Sequence, residues 1–170
     1  MERLVLTAIG EDRRGLVEEV SEFVLDRGGS IEESRMANLM GQFAIAMLVA
    51  GGAEAIGRDL DAFAASAGID ARIAPARGSA APRGPALRFE AKALDQPGLV
   101  HEIADVFREH GANVESFEST IEPAPVSGSP VFAMEVVVTF DGDEDALRAD
   151  LERAGASLGI DWTLTSLQPA

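Results

Sequence analysis

The feature that most constrains this sequence is an internal repeat. Residues 12–32 read DRRGLVEEVSEFVLDRGGSIE and residues 95–115 read DQPGLVHEIADVFREHGANVE, so an offset of 83 positions aligns two similar segments. The aligned identities include Asp12/Asp95, Gly15/Gly98, Leu16/Leu99, Val17/Val100, Glu19/Glu102, Gly28/Gly111 and Glu32/Glu115. Two later pairs of segments also match: 43–49 with 132–138, at an offset of 89, and 68–70 with 159–161, at an offset of 91. A growing offset is typical of insertions in loops. The chain is therefore predicted to hold two copies of one domain.

A short segment between the copies has the composition of a linker. Residues 76–86 read ARGSAAPRGPA, which combines Pro, Gly, Ser and Arg without hydrophobic periodicity. We predict a first domain at 1–75, a linker at 76–86 and a second domain at 87–170. The formal net charge of -15 is unevenly divided, with 7 basic and 13 acidic residues in the first domain against 5 and 16 in the second. A basic partner surface is expected to be drawn to the second copy.

Both copies show the same order of predicted elements: strand, helix, strand, strand, helix, strand. In the first copy the elements are 4–9, 16–27, 31–39, 43–50, 54–67 and 69–74. In the second copy they are 87–94, 99–110, 114–121, 131–140, 143–158 and 160–167. This order predicts an α+β chain of two tandem ferredoxin-like βαββαβ units, each an antiparallel sheet with both helices on one face. Because one unit of about 75 residues has a small core, two units are expected to pack together.

Composition excludes several classes of protein. A hydrophobic content of 46% supplies a core and excludes wholesale disorder, and a net charge of -15 argues against a direct nucleic-acid ligand. No apolar run reaches ~18 residues, and the first ten residues lack a signal-peptide pattern, so we expect a cytoplasmic protein without membrane association. With Cys 0, Tyr 0, two histidines and the single lysine Lys92, few groups could act as a base or nucleophile.

Two segments imitate metal motifs. His101-Glu102 resembles the start of a helical zinc-protease motif, but Asp105 stands where the second histidine is required. The acids of residues 141–152 partly match a calcium loop, yet Ala146 occupies the position of the obligatory glycine. We interpret these acids, Asp143 among them, as a cap for the following helix. No metal and no cofactor are expected.

Ferredoxin-like units include RNA binders and enzymes as well as sensors, so the site must decide the function. An RNA-recognition unit requires aromatic side chains on the inner strands, whereas these strands read FAIAMLVA and FAMEVVVTF. An acylphosphatase-like enzyme requires an arginine beside a phosphate cradle. Arg13 and Arg14 suit that role in the first copy, but Gln96 and Pro97 replace them in the second.

The turn between the first strand and first helix of each copy carries the strongest functional signal. In the second copy Pro97 fixes φ ahead of the helix, and Gly98 permits a close backbone approach. Free amides at the start of a helix can hold a carboxylate, so a small anion is the predicted ligand. The candidate residues of the two turns are Asp95, Gln96, Pro97, Gly98 and Leu99 in the second copy and Asp12, Arg13, Gly15 and Leu16 in the first.

On these residues the chain resembles the ACT domain family, whose βαββαβ units carry a D-R-P-G-L turn before the first helix. Each of the two copies resembles one ACT domain, so the resemblance covers nearly the whole chain. A two-unit chain of this length is similar to the glycine cleavage system transcriptional repressor family. The resemblance implies a regulatory module that binds an amino acid, typically between two units. It also implies Asn113 and Ser30 as ligand-facing residues, and we expect each to lie close to the turn of its own copy. Arg14 and Ser30 depart from the family's Pro and Asn.

The function expected from the resemblance is a non-catalytic amino-acid sensor, for glycine or serine first, that modulates a protein partner such as a transcriptional regulator. The sequence leaves the oligomeric state open, with a homodimer as one candidate. The alternatives are a detached regulatory subunit of an amino-acid biosynthetic enzyme or a small enzyme on this fold. A chain ending at Ala170 is expected to have no appended catalytic domain.

Overall fold

A computed structural model describes residues 2–78, 84–124 and 128–167. Contacts along the chain divide it into two units, Met1–Gly78 and Ser79–Ala170. The predicted linker, 76–86, spans this division, and its residues 79–83 lie outside the described residues.

The first unit contains four strands and two helices in the order βαββαβ. They are β1 (Arg3–Glu11), α1 (Leu16–Asp26), β2 (Ser30–Leu39), β3 (Gln42–Ala50), α2 (Ala53–Ala67) and β4 (Ile69–Pro75). The antiparallel sheet has the order β2-β3-β1-β4, so β2 and β4 are its edges.

The second unit repeats this arrangement. Its elements are β5 (Ala86–Leu94), α3 (Leu99–Glu109), β6 (Asn113–Pro123), β7 (Pro130–Thr139), α4 (Glu144–Leu158) and β8 (Asp161–Leu167). The sheet order is β6-β7-β5-β8, which makes β6 the equivalent of β2.

One face of each sheet is buried against both helices. Alternate residues of β5, such as Leu87 and Phe89, point into a core that also contains Ile103 of α3 and Leu151 of α4. Because side chains alternate along a strand, the residues between them lie on the uncovered face. The prediction of two tandem ferredoxin-like α+β units is confirmed.

The edge strands β2 and β6 are exposed along most of their length and each contains a β-bulge. The register shifts at Glu32 in β2 and at Glu115 in β6, which are equivalent positions of the repeat. On β6 three large apolar side chains remain exposed: Val114, Phe117 and Ile121. Exposed edges of this kind are potential pairing surfaces.

Within the described ranges, no helix combines the length and the apolar character needed to cross a bilayer.

Candidate functional site

The turn before α3 leaves the start of this helix open. Gly98 is the N-cap residue with φ 97°, and the helix receives no side-chain cap. A Cβ at this position would meet nothing within 4 Å, so the backbone conformation, not space, is what favours glycine. The helical ladder begins when the amide of Glu102 donates to the carbonyl oxygen of Gly98 at 3.0 Å. The amides before it lack partners within the helix and are available to an anion.

A pocket of about 550 Å³ opens beside this turn. Its lining combines polar groups of the turn with apolar groups of α3 and β7: Asp95, Gln96, Gly98, Leu99, Val100, His101, Ala104 and Phe132. The amide of Asp95 donates to the carbonyl oxygen of Pro130 at 3.3 Å, which fixes the turn on β7. Among the described residues, the carboxylate of Asp95 has no hydrogen-bond or ion-pair partner.

Two predicted ligand residues form hydrogen bonds with the end of a neighbouring helix. Gln96 donates from Nε2 to the carbonyl oxygen of Leu158, at the end of α4, over 2.7 Å. Arg13 occupies the equivalent position in the first unit and donates from Nη2 to the carbonyl oxygen of Ala67, at the end of α2, over 3.2 Å. Both side chains therefore join the turn to the C-terminus of the second helix of their unit.

The turn of the first unit is more fully occupied by its own side chains. Gly15 has φ 88° and caps α1 as Gly98 caps α3. The Arg13 guanidinium also contacts both carboxylate oxygens of Glu19, at 2.5 and 2.6 Å. This hydrogen bond lowers the pKa of Glu19 below its ordinary value of 4.5, against the opposing effect of desolvation. Asp12 accepts a 2.6 Å hydrogen bond from Nδ2 of Asn38.

Leu16 and Leu99 anchor the starts of their helices in the two cores, where they are almost fully buried. Leu99 also forms part of the pocket wall. Pro97 lies in the turn between Gln96 and Gly98.

The expectation that Asn113 lies close to the Gly98 turn of the same unit is wrong. Asn113 pairs with Thr139 at one end of β7, whereas Asp95 contacts Pro130 at the other end. Nine residue steps along a strand span ~30 Å. The same holds in the first unit, because Ser30 pairs with Ala50 at the end of β3 opposite to the Asp12 turn. Each unit alone therefore keeps the two predicted parts of its site apart.

Asn113 belongs to a small polar cluster at the bulge of β6. Its Nδ2 donates to Oε1 of Glu115 at 2.7 Å, and Thr139 Oγ1 donates to the same oxygen at 2.9 Å. Thr139 is buried, so its hydroxyl requires this partner. The amide oxygen of Asn113 remains as its acceptor group.

The acids that imitate a calcium loop behave as a helix cap. Oδ1 of Asp143 accepts hydrogen bonds from the amides of Asp145 and Ala146, at 3.0 and 3.1 Å. The cap prediction is confirmed. In the described part of the chain, no three His, Cys, Asp or Glu side chains are grouped to hold a metal ion.

Sequence reasoning missed the contacts of Arg13 and Gln96 with the distant helix ends. It also missed Phe132 as a wall of the pocket and Glu115 as the centre of the bulge cluster. The repeat alignment contained a signal for Phe132 and Glu115, because they align with Phe43 and Glu32 of the first copy.

Comparisons with known proteins agree with this architecture. ACT domain models match residues 2–74 and residues 88–156. The glycine cleavage system transcriptional repressor of Escherichia coli (strain K12) is 29% identical over 159 residues, which cover 91% of this chain and 83% of that protein.

Two solved structures match nearly the whole chain. A crystal structure of an unknown protein from Galdieria sulphuraria has a TM-score of 0.85 at 26% identity and covers 98% of this chain and 99% of its own. That of a putative glycine cleavage system transcriptional repressor has a TM-score of 0.73 at 18% identity, with 99% and 98% covered, and shows the shared fold. Because one matched segment lies in each of the two βαββαβ units, the chain belongs to the ACT domain family and carries two ACT domains in tandem.

Proposed function

We propose that this protein is a non-catalytic regulator that binds a small amino acid at the turn of its second domain and thereby changes the activity of a protein partner. The observation that carries the proposal is the open N-terminus of α3 beside the unpartnered carboxylate of Asp95, within one pocket. The relationship to a transcriptional repressor supports a transcriptional regulator as the partner. Glycine and serine are the first ligands to test, since that relative is named for glycine cleavage.

The two ends of an amino acid match the two sides of the turn. The free amides that follow Gly98 suit the α-carboxylate, because backbone N–H groups and the helix dipole both favour an anion there. The Asp95 carboxylate suits the α-ammonium group, with which it would form a charge-assisted hydrogen bond. At this end of α3 stands His101, whereas the equivalent residue of the first domain is the acid Glu18.

A second copy of the chain would complete the site with Asn113. The strand β6 runs parallel to β5, because both are antiparallel to β7. If two β6 edges paired antiparallel about a two-fold axis, Asn113 of the second copy would lie near the Asp95 end of the first. The exposed apolar side chains of β6, Phe117 among them, would be covered in this dimer. Phe117→Asp is expected to produce a monomer that binds the amino acid more weakly, as sedimentation and titration would measure.

The first domain is expected to contribute little to ligand binding. Its Asp12 carboxylate is already engaged by Asn38, and its Arg13 by Glu19. The first turn of α1 also carries Glu18 at the position that His101 occupies in α3, and its negative charge repels a carboxylate. We therefore infer one amino acid bound per chain.

Thermal unfolding with and without ligand tests the proposal. Trp162 is the single tryptophan and lies in the second domain, so its fluorescence follows that domain. An amino acid at about 100 times its Kd stabilises the folded state by ~2.7 kcal/mol and raises the Tm measured in this way. Asp95→Asn is expected to weaken binding by roughly tenfold to a hundredfold, equivalent to ~1–3 kcal/mol.

Asp12→Asn is the matched control, because it makes the same change in the other domain and is expected to leave the ligand-induced rise in Tm unaltered. Equal loss of the rise in both variants would contradict a site confined to the second domain. If no amino acid raised the Tm of the wild type, the proposal would be wrong.

A further inference from the structure

Two acidic side chains on α1 of the first domain have no partner in the part of the chain that the structure describes. Glu22 and Asp26 are exposed, lie one helical turn apart, and form no hydrogen bond or ion pair within the described residues. Like charges at positions i and i+4 of a helix destabilise it. Asp26 also lies in the last turn, where the helix dipole disfavours a negative charge and no basic residue is present.

The second domain carries the same pair of acids and neutralises it. Asp105 and Glu109 are the repeat equivalents of Glu22 and Asp26, and Arg108 contacts both, at 2.6 and 3.7 Å. The position of Arg108 is occupied in the first domain by Leu25, whose exposure of 71% makes it one of the most exposed large apolar residues. The repeat therefore shows a guanidinium on these carboxylates in one domain and an exposed leucine beside them in the other.

Glu22 and Asp26 line a groove of about 500 Å³ between α1 and α2. Its floor contains Phe23 and Phe63, whose rings stack with centroids 4.1 Å apart. One guanidinium is already held there, because Arg27 lies 3.9 Å above the ring of Phe23.

The two arginines of the groove do not form ion pairs with Glu22 or Asp26. Arg27 forms its ion pair with Asp59 at 3.1 Å, and Arg58 contacts the same carboxylate at 2.9 Å. The ring of Phe23 is therefore already covered by Phe63 and Arg27, and among the described residues the groups left free at the edge of the groove are the two carboxylates and the exposed side chain of Leu25. Carboxylates favour arginine, whose planar guanidinium forms forked hydrogen bonds with them.

We propose that the groove between α1 and α2 of the first domain docks a positively charged segment of a partner protein, with an arginine held by Glu22 and Asp26 and an apolar side chain against Leu25. This inference rests on the proposed function in one respect, namely that a regulator requires a surface for its partner. The amino-acid site lies in the other domain, and the test below uses no amino acid, so either proposal can fail without the other.

The test measures binding of a synthetic peptide to the full chain at an ionic strength of ~0.15 M, where non-specific attraction to exposed charges is screened. The probe is an alanine-based helical peptide with two arginines one turn apart and a leucine between them. The wild type is expected to bind it, and a version with glutamine in place of arginine is expected not to bind. Leu25→Arg installs the pairing of the second domain and is expected to weaken binding by at least ~tenfold. The double variant Glu22→Gln/Asp26→Asn is expected to weaken it equally.

The double variant Asp105→Asn/Glu109→Gln removes the same charge from the equivalent positions of the second domain, and its affinity is expected to stay within about twofold of the wild type. Circular dichroism checks that every variant keeps its helices and strands. Peptide binding by Leu25→Arg at wild-type affinity would overturn the proposal. An equal loss in the second-domain variant would also overturn it, because attraction would then depend on total charge alone.

Discussion

The side chain of Gln96 donates a 2.7 Å hydrogen bond to the carbonyl oxygen of Leu158, and this contact joins the candidate ligand turn to the far end of α4. Arg13 and Ala67 form the equivalent contact in the first domain. Different side chains thus perform one task at the same position of the repeat. The last carbonyl groups of a helix lack partners within it, so each contact also satisfies an otherwise unpaired acceptor.

Gln96→Ala is expected to lower the free energy of unfolding of the second domain by about 1 kcal/mol, the usual net value of one hydrogen bond. Chemical denaturation followed by Trp162 fluorescence measures the change. Gln96→Arg should retain the stability, because arginine makes this contact in the first domain. Equal loss in both variants would contradict the role given to the hydrogen bond.

Gly98→Ala is expected to destabilise the second domain by ~1–2 kcal/mol, since a left-handed conformation at φ 97° is unfavourable for a residue with a Cβ. Gly98→Asn should cost less, because asparagine tolerates positive φ better than alanine. Thermal melts of the two variants provide the comparison. A stability of Gly98→Ala equal to that of the wild type would contradict the strain argument.

The Arg13–Glu19 pair predicts a pH dependence in the first domain. The pKa of Glu19 is lowered in the folded state, so its contribution to stability is present above its ordinary value of 4.5 and is lost as the pH falls through the lowered pKa. Arg13→Gln should raise the pKa of Glu19 towards 4.5, as a carboxyl NMR titration would detect. The pKa of Glu32, which Arg3 lowers, serves as the control and should not move.

Removal of divalent metal ions is expected to leave the Tm unchanged, because the acids near Asp143 cap α4 through its first amides. Asp143→Ala should instead lower stability by ~1 kcal/mol, the typical value of an N-cap. Differential scanning calorimetry before and after dialysis against a chelator separates the two effects. A Tm that fell on dialysis and recovered with calcium would contradict this account.

Much of the fold could be predicted because both copies of the repeat show the same order of strand and helix patterns. The predicted helix at 54–67 differs by one residue from α2, since glycines adjoin both of its ends. The predicted helix at 143–158 includes Asp143, which the structure assigns to the cap instead. Local patterns of apolar residues and turn residues are sufficient to locate elements of this length.

The site was harder to predict, because its geometry depends on where distant segments meet. Asn113 follows α3 closely in sequence, yet a helix of 11 residues carries the chain ~16 Å before β6 begins. Asn113 consequently lies at the opposite end of the sheet from Gly98. The contact of Gln96 with Leu158 spans 62 positions, and no pattern within either segment indicates it.

Calorimetric titration of the full chain with each of the twenty amino acids tests the central claim most directly. The account predicts heat with a small amino acid, glycine or serine first, at a stoichiometry of one per chain. The heat should be strongly reduced in Asp95→Asn and retained in Asp12→Asn. Absence of heat with all twenty, at ligand concentrations of several times ~1 mM, where binding free energies of only about -4 kcal/mol are still detected, would contradict amino-acid sensing by this protein.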